Sequence, residues 1–263
     1  MSEKGVMFET QQTIGFIHLN NPKRANALSK FLVKDLARIV KELKHNEKLT
    51  AVIFTGGDSK AFCAGADLKE RQTMNEDEIV EYVRLLRNTF DEIAALPMPT
   101  IAAIKGLALG GGCELALACD FRVMEEDALI GLTEVSWGII PGAGGTQRIQ
   151  CLVGIGMAKK LILTAEKLTG KKAYDIGLVE EICQKGQAEK KALQLAEQMA
   201  ENSMHSIRLA KQAIDYLNRV QLKQGFEEEW NCYQQTIQHS DRLEGLAAFQ
   251  EKRKPNFLNH LKI

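Results

Sequence analysis

The chain has 263 residues, with 34 Lys plus Arg against 34 Asp plus Glu and so a formal net charge of zero. That length is enough to bury a large core, as one sizeable domain or a domain with a subdomain. The balanced charge gives no global attraction for nucleic acid, and no apolar run approaches the ~20 residues that span a bilayer.

Read in chain order, residues 14–19 form a short apolar strand that Asn20-Asn21-Pro22 ends. Ser29 is placed to cap a helix to about residue 44, with Leu32, Leu36, Ile39 and Leu43 recurring on one face. A buried strand at 51–55 runs into Gly56-Gly57, and the small-residue loop 61–67 follows it. A helix is predicted over 77–96, and Pro97 and Pro99 break it before a strand at 100–105. The run GLALGGGCELALACD (106–120) opens a short helix, then comes a strand at 120–124. A second glycine run, PGAGG (141–145), leads into helices at 147–152 and 155–163. The last strand is predicted at 178–182, and beyond it only helical periodicity remains, at 189–202, 206–220, 225–238 and 241–252. Strands alternating with helices, then a helical appendage, define an α/β core with a C-terminal part suited to oligomerisation.

Several features point away from other chemistries. The N-terminus MSEKGVMFET lacks the apolar core of a secretory signal. Cys63, Cys113, Cys119, Cys151, Cys183 and Cys232 form no CxxC pair and no Cys/His cluster. They read as reduced thiols in a cytoplasmic compartment. Cys113 has no histidine near it in sequence and reads as a small buried residue, not a nucleophile. His18, His45, His205, His239 and His260 are scattered without metal-ligand spacing, so no metal site is expected. The stretch GAGGTQR lacks the Lys-Ser/Thr of a phosphate-binding P-loop.

The chemistry concentrates on two carboxylates beside the glycine runs. Glu114 follows Gly110-Gly111-Gly112, and Glu134 precedes Pro141-Gly142-Ala143-Gly144-Gly145. A helix that opens on a glycine turn aims unpaired N–H groups, and the positive end of its dipole, at what lies before it. Carboxylates next to such donors suit acid–base chemistry on a carbonyl compound whose oxygen gains negative charge. The other reading of the same residues is a glycine-rich strand-to-helix turn with ordinary surface glutamates.

The segments AFCAGADLKE (61–70), IAAIKGLALGGGCELALACDFRV (101–123), GLTEVSWGIIPGAGGTQR (131–148) and DRLEGLAAFQEKRKPNF (241–257) resemble, in order and spacing, the enoyl-CoA hydratase, or crotonase, superfamily. The resemblance implies a spiral of ββα repeats over residues 1–201, carrying the acyl-CoA site, and a helical trimerisation region over 202–263. It implies a homotrimer or a dimer of trimers, and no cofactor beyond the coenzyme A of the substrate itself. It assigns Glu114 and Glu134 to activating water and delivering a proton, the backbone N–H groups of Ala66 and Gly111 to an oxyanion hole, and Gly142 to positioning the water. For coenzyme A it implies Ala64 at the adenine and Lys23, Arg24, Asp67, Phe249 and Lys252 along the carrier. Carboxylates at both positions resemble a hydratase more than a double-bond isomerase, the alternative.

Several stretches, 62–71, 96–112 and 232–253, look most like 3-methylglutaconyl-CoA hydratases that also bind AU-rich RNA. Such a substrate has a distal carboxylate, for which Lys69 and Arg71 are candidates. The RNA alternative rests on Lys30, Lys34, Lys41, Lys44 and Lys48 along one helix face, diluted by Asp35 and Glu42 and without aromatics for base stacking.

Overall fold

The computed structural model describes residues 5–257, with backbone alone at 217–221. The chain opens with β1 (Val6–Gln11) and β2 (Ile14–Leu19), an antiparallel hairpin, followed by α1 (Lys30–Leu43) and β3 (Ala51–Thr55). A single turn, α2 (Leu68–Arg71), precedes the long α3 (Glu76–Ala94). Then come β4 (Thr100–Ile104), β5 (Leu107–Leu109), α4 (Gly111–Ala118), β6 (Phe121–Glu125), β7 (Leu129–Gly131) and α5 (Gly145–Leu163). The remainder is β8 (Leu168–Thr169), α6 (Gly170–Asp175), β9 (Glu181–Cys183), α7 (Ala188–Ala200), α8 (Met204–Gln238) and α9 (Ser240–Glu251).

The six-stranded sheet has the order β1-β2-β3-β4-β6-β9, and every pair after the hairpin is parallel. A smaller sheet joins β5, β7 and β8. The units β4-β5-α4 and β6-β7-α5 each place one strand in the large sheet, one in the small sheet, and then a helix. The parallel bridges Leu28↔Ala66 and Cys63↔Ala108 extend the small row backward to the β2 and β3 units. Spatial neighbours are thus successive units of the chain, which is the spiral of ββα repeats the resemblance implies.

Strand alternation divides the core. Ile17, Leu19, Val52, Phe54, Ala102, Ile104 and Met124 face the layer of α1, α3 and α4. Ile14, Phe16, Ala51, Ile53, Ile101, Ala103 and Val123 face Ala188, Ala192 and Ala196, a four-residue repeat of small side chains on α7. Burying one such Ile or Phe stabilises the fold by about 1.5–3 kcal/mol. Helix α1 starts where Ser29 Oγ accepts from Leu32 N at 3.2 Å, and its buried face is Leu32, Val33, Leu36, Ile39, Val40 and Leu43. Helix α3 carries a capping box, Asn75 with Glu78.

Two expectations are corrected. The strand predicted at 178–182 begins only at Glu181, because Leu178 N donates to Ala173 O at 2.9 Å and Leu178 O accepts from Arg122 Nε at 3.0 Å. The helices predicted at 206–220 and 225–238 are one rod, α8. Gly225 is no break in it but a crossing point, where a Cβ would lie 2.1 Å from Gln147 Oε1 of α5. The helices at 147–152 and 155–163 are two, as expected: they meet within α5 at Gly154, whose backbone (φ 77°, ψ 158°) is not helical. Among the described residues no helix is long and apolar enough to cross a membrane.

Candidate active site

Two loops bring backbone donors together. Leu28 bonds to both neighbours of Ala66, with Leu28 N donating to Gly65 O at 2.8 Å and Asp67 N donating to Leu28 O at 3.3 Å. That pairing turns the Ala66 N–H away from Leu28. On the other loop, Gly111 is the first residue of α4, where an N–H has no acceptor in its own helix. Neither amide donates to a protein acceptor among the described residues. The two are adjacent: a Cβ on Gly111 would lie 3.7 Å from Ala66 N.

The turn between β5 and α4 requires glycine for two separate reasons. Gly110 has φ 53°, in the left-handed region, and a Cβ there would sit 3.3 Å from Glu134 Oε1. Gly112 has no such angle, but its Cβ would lie 2.2 Å from Cys63 O, so any side chain would drive the α4 opening away from the 61–66 loop.

Glu114 stands in the first turn of α4 and is buried. Its Oε1 accepts from Ala143 N at 2.8 Å and Gly145 N at 2.9 Å. Burial and the nearby Glu229 carboxylate push its pKa up to about 7, against the pull of those two N–H donors. Glu134 opens a one-turn 3-10 helix, Glu134–Trp137, and is buried too. Neither of its carboxylate oxygens has a hydrogen-bond partner among the described residues. Burial and the charge of Glu114 hold its pKa well above the usual carboxylate range, and the nearby N–H groups of Glu134 and Thr133 oppose this without forming a hydrogen bond. The two acids are therefore unequal. Glu114 is the better seat for a negative charge, and Glu134 the better carrier of a proton.

A single cavity is lined by Ala64, Ala66, Gly111, Glu114, Glu134 and Gly142, together with Val83, Leu86, Trp137, Ile139 and Ile140. The remaining coenzyme A candidates lie outside its lining. Lys23 is exposed on the 3-10 turn Pro22–Arg24. Arg24 pairs with Asp67, whose carboxylate also caps α2 by accepting from Lys69 N at 3.1 Å and Glu70 N at 3.2 Å. Phe249 meets Trp137 edge-on at 5.7 Å, and Lys252 is exposed at the end of α9. Helix α9 thus folds back beside the Glu134 turn of its own chain; a Cβ on Gly245 would lie 2.1 Å from Trp137 O.

Sequence reasoning missed two residues of α8. Tyr233 lies against Gly142, where a Cβ would be 2.6 Å from the ring, and its hydroxyl accepts from Arg71 Nη2 at 2.7 Å. Glu229 is buried, accepting from Gly144 N at 2.7 Å and Thr146 N at 2.9 Å, and also from the Thr146 hydroxyl. In the sequence Glu229 closes the run Glu227-Glu228-Glu229, which looks like a solvated face; only its i,i+4 spacing to Tyr233 marks it as inward. Of the two candidates for a distal carboxylate, Lys69 is exposed, whereas Arg71 is 6% exposed and lines the cavity. Its guanidinium lies 5.3 Å from the Tyr82 ring, and among the described residues no carboxylate pairs with it.

The family model described as enoyl-CoA hydratase/isomerase matches residues 9–260. The chain is 45% identical over 253 residues to a human protein named methylglutaconyl-CoA hydratase, mitochondrial, covering 95% of this chain and 75% of that one. It is 43% identical over 251 residues to human enoyl-CoA hydratase domain-containing protein 2, mitochondrial, covering 94% and 86%. Among solved structures, an enoyl-CoA hydratase from Bacillus anthracis superposes with a TM-score of 0.80 at 44% identity, over 96% of this chain and 98% of that one. The chain belongs to the enoyl-CoA hydratase/isomerase family and is an enzyme of the hydratase kind.

Proposed function

We propose that the protein adds water across the 2,3 double bond of a short-chain 2-enoyl-CoA, using Glu114 and Glu134 on opposite tasks. The observation that carries this is the inequality of the two acids around one cavity, beside two backbone donors. Water held near Gly142 gives its oxygen to C3 and a proton to Glu114. The double-bond electrons move onto the thioester oxygen, which the N–H groups of Ala66 and Gly111 hold as an enolate. Each such donor is worth about 3–4 kcal/mol of barrier. The enolate collapses as C2 takes the proton of Glu134, and a proton returned from Glu114 to Glu134 completes the cycle. Coenzyme A runs outward past Ala64, with Lys23, Arg24 and Lys252 meeting its phosphates and Asp67 and Phe249 flanking it; no further cofactor takes part.

Arg71 narrows the acyl group. A buried guanidinium without a carboxylate partner at the cavity wall favours an acyl chain with its own distal carboxylate, as in 3-methylglutaconyl-CoA. The test is a kinetic comparison of crotonyl-CoA, 3-methylglutaconyl-CoA and a 3-enoyl-CoA, in the native protein and in Arg71→Met. The reading expects hydration of both 2-enoyl substrates, a preference for the carboxylated one, and loss of that preference in Arg71→Met. Turnover of the 3-enoyl compound alone makes the protein an isomerase.

The lysine helix supports RNA binding less well, since Lys30 and Lys44 pair with Glu81 and Glu92. Exposed Ile155 and Leu163 on α5, with Ile214 and Tyr216 on α8, support assembly as a homotrimer or dimer of trimers, which light scattering measures. Six free cysteines support a reducing compartment. Cell fractionation separates the cytoplasm expected from sequence from the mitochondrion in the relatives' names.

A further inference from the structure

The opening of α5 presents four successive N–H groups, and they are shared between two carboxylates in strict alternation. Ala143 N and Gly145 N donate to Glu114 of α4, at 2.8 and 2.9 Å. Gly144 N and Thr146 N donate to Glu229 of α8, at 2.7 and 2.9 Å. The loop is held by two carboxylates, one from α4 and one from α8, each taking alternate N–H groups. Gly142, next to this loop, lines the cavity. We infer that Glu229 is a positioning residue for the hydration, holding the loop that seats Glu114 and placing a second buried carboxylate beside it.

Glu229 does not line the cavity, so it acts through Glu114 and not on the substrate. The charged groups around the Glu114 carboxylate are Glu134 from the 3-10 turn, Glu229 from α8 and Arg148 from α5. Arg148 is itself held by Asp91 and by Ala143 O at 2.8 Å, so its charge is shared. Glu229 is the like charge that opposes ionisation of Glu114 from behind the loop; its neutralisation leaves Glu114 easier to ionise. The removal of its side chain also leaves the Gly144 and Thr146 N–H groups unmet and the loop unfixed.

The inference rests on Glu114 as the residue that takes the proton from water, and the test separates the two. The pH dependence of kcat/KM for crotonyl-CoA is compared in the native protein, Glu229→Gln and Glu229→Ala. The side-chain carboxyl NMR signal of Glu114 is titrated in parallel. Glu228→Gln, which alters an exposed charge one residue away, is the control. For Glu229→Gln the expectation is an acid limb moved to lower pH by roughly half a unit or more, with the Glu114 signal moving alike. Its kcat should fall about tenfold with KM little changed, and Glu229→Ala should lose more. Glu228→Gln should change none of these. A folded Glu229→Gln with native kcat, acid limb and Glu114 titration overturns the inference. A native protein without hydratase activity overturns the proposed reaction instead, and the NMR titration still decides whether Glu229 sets the ionisation of Glu114.

Discussion

Glu114 and Glu134 reach the same cavity from two different glycine turns, and among the described residues N–H donors meet Glu114 but not Glu134. Two carboxyl groups of identical chemistry thereby acquire opposite leanings, one toward the anion and one toward the acid. The division of labour proposed for hydration follows from this difference in surroundings.

Replacement of either acid by its amide tests that division. Glu114→Gln and Glu134→Gln should each lower kcat by about 10²–10⁴-fold, the usual contribution of a positioned acid or base, while leaving the fold intact. Loss of enoyl-thioester absorbance measures the first, and a circular dichroism melt the second. Full activity in both variants would remove the assigned mechanism.

The raised carboxyl pKa values also make a stability prediction with a definite sign. Glu114 has a folded pKa of about 7 against an ordinary 4.5, so between those values the native state binds more protons than the unfolded state. Stability contributed by this group is therefore present at low pH and lost as pH rises through that window, with Glu134 extending the loss further upward. At 1.36 kcal/mol per pKa unit, Glu114 accounts for roughly 3 kcal/mol. Glu134→Gln should melt higher than the native protein at pH 8 and closer to it at pH 5. A melting difference that is the same at both pH values would contradict the burial argument.

Gly110→Ala should damage structure and turnover together. The φ of 53° penalises a side chain by ~1 kcal/mol or more, and the new methyl presses on Glu134 Oε1. The first N–H groups of α4 shift with the turn, so kcat should fall more than KM changes. A variant with native melting temperature and native kcat would show that the turn is not strained as described.

Arg122→Met should destabilise without touching the reaction. Arg122 is buried, donates to Cys119 O at 2.9 Å and Leu178 O at 3.0 Å, and pairs with Glu180. Its loss leaves those carbonyls without their donor, at about 1–3 kcal/mol for each that stays buried. Urea unfolding should show that loss, and kcat at low temperature should stay near native.

Long periodic elements were plain from residue order: the α1 and α3 faces and the strands at Ile14–Leu19, Ala51–Thr55 and Thr100–Ile104 rest on local spacing. The short strands β5, β7 and β8 were not, because two or three residues carry no readable period and exist only through pairing with distant chain. The join at Gly225 was hidden for a similar reason, since glycine marks a break in sequence and a close crossing in space. The glycine runs did mark the cavity walls, because a glycine run signals close backbone approach wherever it occurs. Glu229 and Tyr233 lie beside no glycine run, and Arg71 is a candidate only together with Lys69, which is exposed. Their meaning comes from burial, and a charged residue among charged neighbours does not announce that it is buried.

Helix α8 runs roughly 50 Å at 1.5 Å per residue. Near its start, Arg208 Nη2 donates to Leu49 O at 3.2 Å and Lys211 pairs with Asp120, gripping the edge of the sheet layers. Ile214 and Tyr216 stand in solvent along the way, and Glu229 and Tyr233 meet the α5 loop and Arg71 at the far end. One unbroken helix therefore links the outer surface to the loop that holds Glu114. A second subunit seated on Ile214 and Tyr216 would touch the same helix that presents Glu229 and Tyr233 to the interior.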